Sequence, residues 1–174
     1  MLKKQIQDAL NDQINAELYS GYLYQAMGAY FEDKGLDGFA QWMKAQAKEE
    51  QFHAEKFYNY VNERGGRVFF TAIDAPPSDW ESTLKVFEET LSHEEVVTER
   101  INNLVGLALE QKDQATYNML QWFVEEQVEE EDNVNHVIDQ LNLIGDEQKG
   151  GTGLLILDRE LGQRVFTPPA TTEE

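Results

Sequence analysis

Four polar interruptions break otherwise apolar helical stripes in this chain. Glu17 stands alone, Glu50 is followed three residues later by His53, Glu94 stands alone, and Gln127 precedes Glu130 by three. A carboxylate buried without a partner is costly, so such a group holds a proton, pairs with a cation or ligates a metal. The Glu50–His53 spacing puts a carboxylate and an imidazole on one helical face, where both can touch one ion. Oxygen donors with a single nitrogen suit iron, manganese or zinc, and several bridging carboxylates suit a pair of ions. The chain has no cysteine, which excludes thiolate ligation, disulfides and cysteine nucleophiles.

These residues act together only if long helices bring them to one level. Helical periodicity runs from about Lys4 to Glu32, from about Asp37 to Arg64, from after Pro76-Pro77-Ser78, and from about Asp113 to Leu143. The first stripe reads Ile6, Leu10, Gln13, Glu17, Gly21, Tyr24, Gly28, Phe31, and the second Phe39, Met43, Gln46, Glu50, His53, Phe57, Tyr60. The third, with Ser78 or Asp79 as its expected cap, reads Leu84, Phe87, Leu91, Glu94, Thr98, Ile101, Val105, Ala108. The fourth reads Leu120, Phe123, Gln127, Glu130, Val134, Val137, Leu141. Each segment is roughly 40 Å long as a helix, and each interruption falls about 13 to 17 residues in. Midpoints share a level whichever way a helix points, so the interruptions converge.

Short breaks make two antiparallel hairpins. The residues between them, about Gly66 to Asp79, reach about 46 Å when extended, the full height of such a bundle. The predicted fold is all-α: a four-helix bundle with one long crossover and a short fifth helix from Leu154 to Gln163. That fifth helix is short and greasy, and is expected to pack on a neighbouring chain. Residues 1–165 form one domain and 166–174 a solvated tail.

A second acidic layer surrounds the first: Glu49 beside Glu50, then Glu126 and Glu129 beside Gln127 and Glu130. Crowded like charges of this kind call for a counter-ion, and a third, more exposed metal position supplies one. Tyr24 shares the face of Glu17; it reads either as a core aromatic or as a group that hydrogen-bonds a ligand or donates an electron. Trp122 reads as packing, and His93 and His136 fall off the stripes and read as surface residues. With 33 acids against 14 bases the net charge is -19, which disfavours nucleic acid and anionic membrane as partners and favours cations. The longest apolar run, Leu154 to Leu157, spans no membrane, and a cytoplasmic location is expected.

With these residues in place the chain resembles the non-haem prokaryotic ferritins over about residues 1–165. The arrangement of carboxylates and E-x-x-H on a four-helix bundle is that of ferritin-like di-iron proteins. The resemblance implies Glu17, Glu50 and His53 as a first iron site, and Glu50 as bridge with Glu94 and Glu130 as a second. It further implies Gln127 as a hydrogen-bonding neighbour, and Glu49, Glu126 and Glu129 as a third site; Tyr24 and Trp122 match the family's nearby aromatics. The activity implied is oxidation of Fe(II) to Fe(III) by O2 or H2O2, with ferric mineral deposited inside a shell of about twenty-four copies. Bacterioferritin differs, since its fourth helix repeats E-x-x-H where this chain has Gln127-x-x-Glu130, and its haem-ligating methionine is replaced here by Phe52; no haem is expected. Rubrerythrin-like peroxidases usually add a cysteine-bound iron domain, and the mini-ferritins lack the fifth helix. Two readings stay beside iron storage: a peroxide-scavenging di-iron enzyme, and a metal-free bundle that binds partners.

Overall fold

The computed structural model describes residues 2–145 and 151–168. Its elements are α1 (Lys4–Asp33), α2 (Asp37–Glu63), α3 (Thr83–Glu110), α4 (Gln114–Ile144) and α5 (Gly151–Leu161), with no strand among the described residues. Helices α1 and α2 form one antiparallel hairpin and α3 and α4 the other, so the chain is a four-helix bundle with an added short helix. The first turn is closed by Gly35 at φ +71°, which lets the Leu36 N–H donate back to Phe31 O at 3.0 Å. That left-handed position suits glycine, and the returned bond satisfies a helix-end carbonyl. The α3–α4 turn closes in the same way, with Asp113 N donating to Ala108 O at 2.9 Å, but its left-handed residue is Lys112 at φ 54°.

The crossover, residues 64–82, is laid along α1 by that helix's own polar side chains. Gln7 Oε1 accepts from Arg67 N at 2.9 Å, Asn11 Oδ1 from Phe69 N at 2.6 Å, and Asn15 Nδ2 donates to Ala72 O at 3.5 Å. Near the far end the Tyr30 hydroxyl donates to Trp80 O at 3.0 Å. Partners ascend both segments together, so the link carries the chain from one end of the bundle to the other. Helix α3 then starts later than the sequence suggests. Asp79 Oδ1 accepts from Trp80 N, and the Trp80 ring packs edge-on against Tyr30 at 5.3 Å, which holds the backbone out of helix. The cap is therefore Ser82, whose Oγ accepts from Lys85 N at 3.0 Å, and neither Ser78 nor Asp79 serves.

The apolar core is divided in two. One cluster gathers Tyr24, Met27, Phe31, Phe39, Met43 and Phe87 at the α1–α2 turn end. The other gathers Ile6, Leu10, Phe57, Val61, Ile101 and Phe123 at the opposite end, with Phe57 and Phe123 stacked at 3.9 Å. The layer between them is polar.

Helix α5 docks on its own chain more than expected. Leu157 and Leu161 enter the first cluster, while Leu155 and Ile156 face outward and are 57% and 61% exposed. Asp158 Oδ1 accepts from Gly38 N at 2.8 Å and Phe39 N at 3.1 Å, so α5 supplies the cap that α2 lacks locally. A Cβ on Gly38 would lie 1.6 Å from Asp158 O, so only glycine permits this approach. Phe166, where the tail is expected to begin, lies 5.8 Å from Phe52; the remainder of that tail, from 169, lies outside the described residues.

Candidate metal centre

The polar layer contains Glu17, Gln46, Glu50, His53, Glu94, Gln127 and Glu130, none more than 4% exposed. Each carboxylate is oriented by a neutral donor. Gln13 Nε2 donates to Glu17 Oε1 at 2.8 Å, and Gln46 Nε2 donates to Glu130 Oε2 at 2.7 Å and more weakly to Glu50 Oε1 at 3.4 Å. Tyr24 donates its hydroxyl hydrogen to Glu94 Oε1, and Gln127 Nε2 donates to Glu94 Oε2 at 3.2 Å. His53 Nδ1 lies 3.3 Å from Glu50 Oε2, and its ring is walled by Trp122 at 5.5 Å and Phe123 at 5.8 Å.

Three atoms in this layer are buried and unpartnered among the described residues: Glu17 Oε2, His53 Nε2 and the amide oxygen Gln46 Oε1. Buried polar atoms are almost always satisfied, so a pair of orphans on a carboxylate and an imidazole marks a place for a cation. Glu17, Glu50 and His53 each offer an atom within 4.8 Å of the others. A second set with the same closeness joins Glu49, His53, Glu126 and Glu130, and His53 belongs to both.

The electrostatics agree with a site prepared for positive charge. Burial, followed by the nearby Glu50 charge, pushes the Glu17 carboxyl up from 4.5 to about 8. Burial together with Glu94 lifts Glu50 well above the carboxylate range, and burial together with Glu94 and Glu50 does the same to Glu130. Burial raises Glu94 and, more exposed, Glu126, while Tyr24 is raised by burial and by Glu94. Burial and mutual repulsion favour the protonated form of these carboxyls, and a cation that replaces the protons offsets both the desolvation and the repulsion.

The sequence-predicted residues divide accordingly. Glu17, Glu50 and His53 come together, as do Glu49, Glu126 and Glu130 around the same His53. Glu94 belongs to neither close set, and both its oxygens are held, by Tyr24 and Gln127. Glu129 is exposed and lies outside both sets, one helical turn from Glu126. Gln13 and Gln46 lay on the buried stripes without an assigned role, yet each stands four residues before a candidate ligand and donates to it. His136 is exposed as expected, whereas His93 is only half-buried. Its Nε2 lies 2.8 Å from Ser20 Oγ and its ring meets the Tyr24 edge at 5.9 Å, because α1 and α3 pack side by side there. Burial, then the Arg100 charge, lowers its pKa to about 4.

The ferritin-like domain family covers residues 7–144. A bacterial non-haem ferritin of Staphylococcus saprophyticus is 46% identical over 166 residues, spanning 95% of this chain and 98% of that protein. One from Staphylococcus aureus is 44% identical with the same coverage. An engineered closed form of the Archaeoglobus fulgidus ferritin superposes with a TM-score of 0.93 at 49% identity, covering 96% of this chain and all of that one. The open-pore ferritin of the same archaeon gives 0.91 at 49% identity, covering 94% and 99%. No described helix is long and apolar enough to cross a membrane. From the fold, the divided core and these relatives, the chain belongs to the ferritin family, and its function is iron storage.

Proposed function

We propose that this ferritin is a ferroxidase that loads its own store. The observation carrying the proposal is the pair of orphaned buried atoms, Glu17 Oε2 and His53 Nε2, beside Glu50 in a set spanning 4.8 Å. Iron here is the substrate. One Fe(II) takes Glu17, Glu50 and His53; a second takes Glu50 as bridge with Glu130 and Glu94, once Glu94 gives up one of its hydrogen bonds. A third, more exposed position uses Glu49, Glu126 and Glu130, with Glu129 able to join from the solvent side.

Each bound ion displaces carboxyl protons. Two Fe(II) then transfer one electron each to dioxygen, which takes up two protons and leaves as hydrogen peroxide, while two Fe(III) remain. Carboxylates interact more strongly with Fe(III) than with Fe(II), so the site lowers the barrier to electron loss. The apolar clusters on either side keep the layer dry and strengthen that preference. The net charge of -19 draws cations towards the protein. Assembly into a closed shell of about twenty-four copies, acting in the cytoplasm without haem, completes the proposal; the outward Leu155 and Ile156 of α5 are an apolar surface available to neighbouring copies.

The test is aerobic addition of many Fe(II) per chain, followed by sedimentation and iron analysis. Iron that stays soluble and protein-bound well beyond three per chain supports storage by this route. Precipitation, or a stop at two per chain, would sink it, and a stop at two with steady peroxide consumption would favour the peroxide-scavenging reading.

A further inference from the structure

The segment after α5 stays on the bundle and reaches the more exposed of the two ligand sets. Gln41 Nε2 donates to Arg164 O at 3.0 Å, pinning the backbone to α2. The Arg164 guanidinium lies over the Trp42 ring with its carbon 4.2 Å from the centroid, and Nη2 donates to Glu49 Oε2 at 2.8 Å. Two residues on, Phe166 packs 5.8 Å from Phe52, which itself meets Trp122 at 6.0 Å and His53 at 6.4 Å. The strap therefore touches one member of the Glu49–His53–Glu126–Glu130 pocket directly, at Glu49, and packs through Phe52 beside another, His53.

Glu49 is thus claimed twice, by a cation of the protein itself and by a pocket suited to a metal cation. We propose that Arg164 is the resident counter-ion of the Glu49–His53–Glu126–Glu130 pocket, and that its competition for Glu49 makes a metal ion's stay there brief. This rests on the reading of that pocket as the third iron position. Three features favour competition over a fixed structural ion pair. The pair is a single bond from Nη2, whereas a forked guanidinium–carboxylate pair would use two. Arg164 Nη1 is buried with no hydrogen-bond partner among the described residues, so the pairing is incomplete. Finally, Trp42 and Gln41 hold the guanidinium and its backbone independently of Glu49. An arriving ion repels the guanidinium, which remains close on Trp42 and re-forms the pair as the ion leaves. The pocket then works as a passing station between the buried core and the store.

The test is calorimetric titration of the assembled, iron-free protein with Zn2+, a redox-inert probe, and stopped-flow release of bound Zn2+ to a chelator. The binding step absent from Glu49→Gln identifies the pocket. Arg164→Gln is expected to tighten that step and slow its release by about tenfold, whereas Arg164→Lys, which keeps the charge, stays within about threefold of wild type. An Arg164→Gln step within about threefold of wild type, or weaker than it, overturns the proposal, the weaker result meaning that Arg164 merely props the pocket. Tight core binding in wild-type protein reports separately on the site reading; its complete absence would overturn that reading and this proposal together.

Discussion

Loading the core with metal should expel protons, and Glu17 sets how many. Its carboxyl is raised from 4.5 to about 8, so at pH 7 it is about nine-tenths protonated, and burial beside other carboxylates raises Glu50 and Glu130 as well. A divalent ion binding through Glu17 at pH 6.5 therefore releases about one proton from that carboxyl, and apparent affinity climbs about tenfold per pH unit on its account. Glu17→Gln removes that proton and lowers the slope by about one, while losing one of the first ion's two carboxylates. Stability of the metal-free protein shifts in the corresponding sense. Below pH 4.5 the carboxyl is protonated in folded and unfolded chains alike, and its burial carries no linkage cost. As pH rises towards about 8 the unfolded chain ionises first, and the destabilisation grows to about 5 kcal/mol. Metal-free wild type should thus lose stability over that window, and Glu17→Gln should lose less. Zn2+ calorimetry in buffers of different ionisation enthalpy measures the protons, and denaturant unfolding with chelator at pH 6 and 8 measures the stability. Zero proton release, or equal release from Glu17→Gln and wild type, would refute the reasoning.

Three further changes probe the scaffold. Gly38→Ala forces a Cβ into the Asp158 carbonyl, so α5 should lose its seat and the α2 cap with it, seen as faster amide exchange in Leu157 and Leu161. Lys112→Gly relieves a left-handed non-glycine residue and should stabilise the fold by about 1 kcal/mol, read as a higher denaturant midpoint at unchanged slope. Phe123→Ala opens a cavity beside Phe57 and the His53 ring, and should cost about 3 to 5 kcal/mol and weaken Zn2+ binding at the core. Retained wild-type stability in that variant would count against the packing described here.

Much of the site was legible because helices are periodic. Glu17, Glu50, His53, Glu94, Gln127 and Glu130 fell on apolar stripes at three- and four-residue steps, and all are buried. Gln13 and Gln46 carried a usable signal as well, since each precedes a glutamate by four on the same face. Other features depend on contacts that local spacing does not encode. Arg164 meets Glu49 across 115 residues and Asp158 meets Gly38 across 120, both through a terminal helix whose docking direction no periodicity specifies. The cap of α3 moved to Ser82 because Trp80 is held against Tyr30, a tertiary contact that overrides a plausible local signal at Ser78. The partial burial of His93 has a related origin: it depends on how closely α1 and α3 approach, which a single helix's pattern does not contain.

The central claim is that the polar layer between the two apolar clusters takes up iron as substrate. Crystals soaked anaerobically with Fe(II) and measured at the iron absorption edge test it most directly. The account predicts two anomalous peaks inside the bundle, one contacting Glu17, Glu50 and His53 and one contacting Glu50 and Glu130 with Glu94 drawn in, and a third, weaker peak at Glu49 and Glu126. Iron confined to the protein surface, with Glu17 and His53 still unligated, would contradict it.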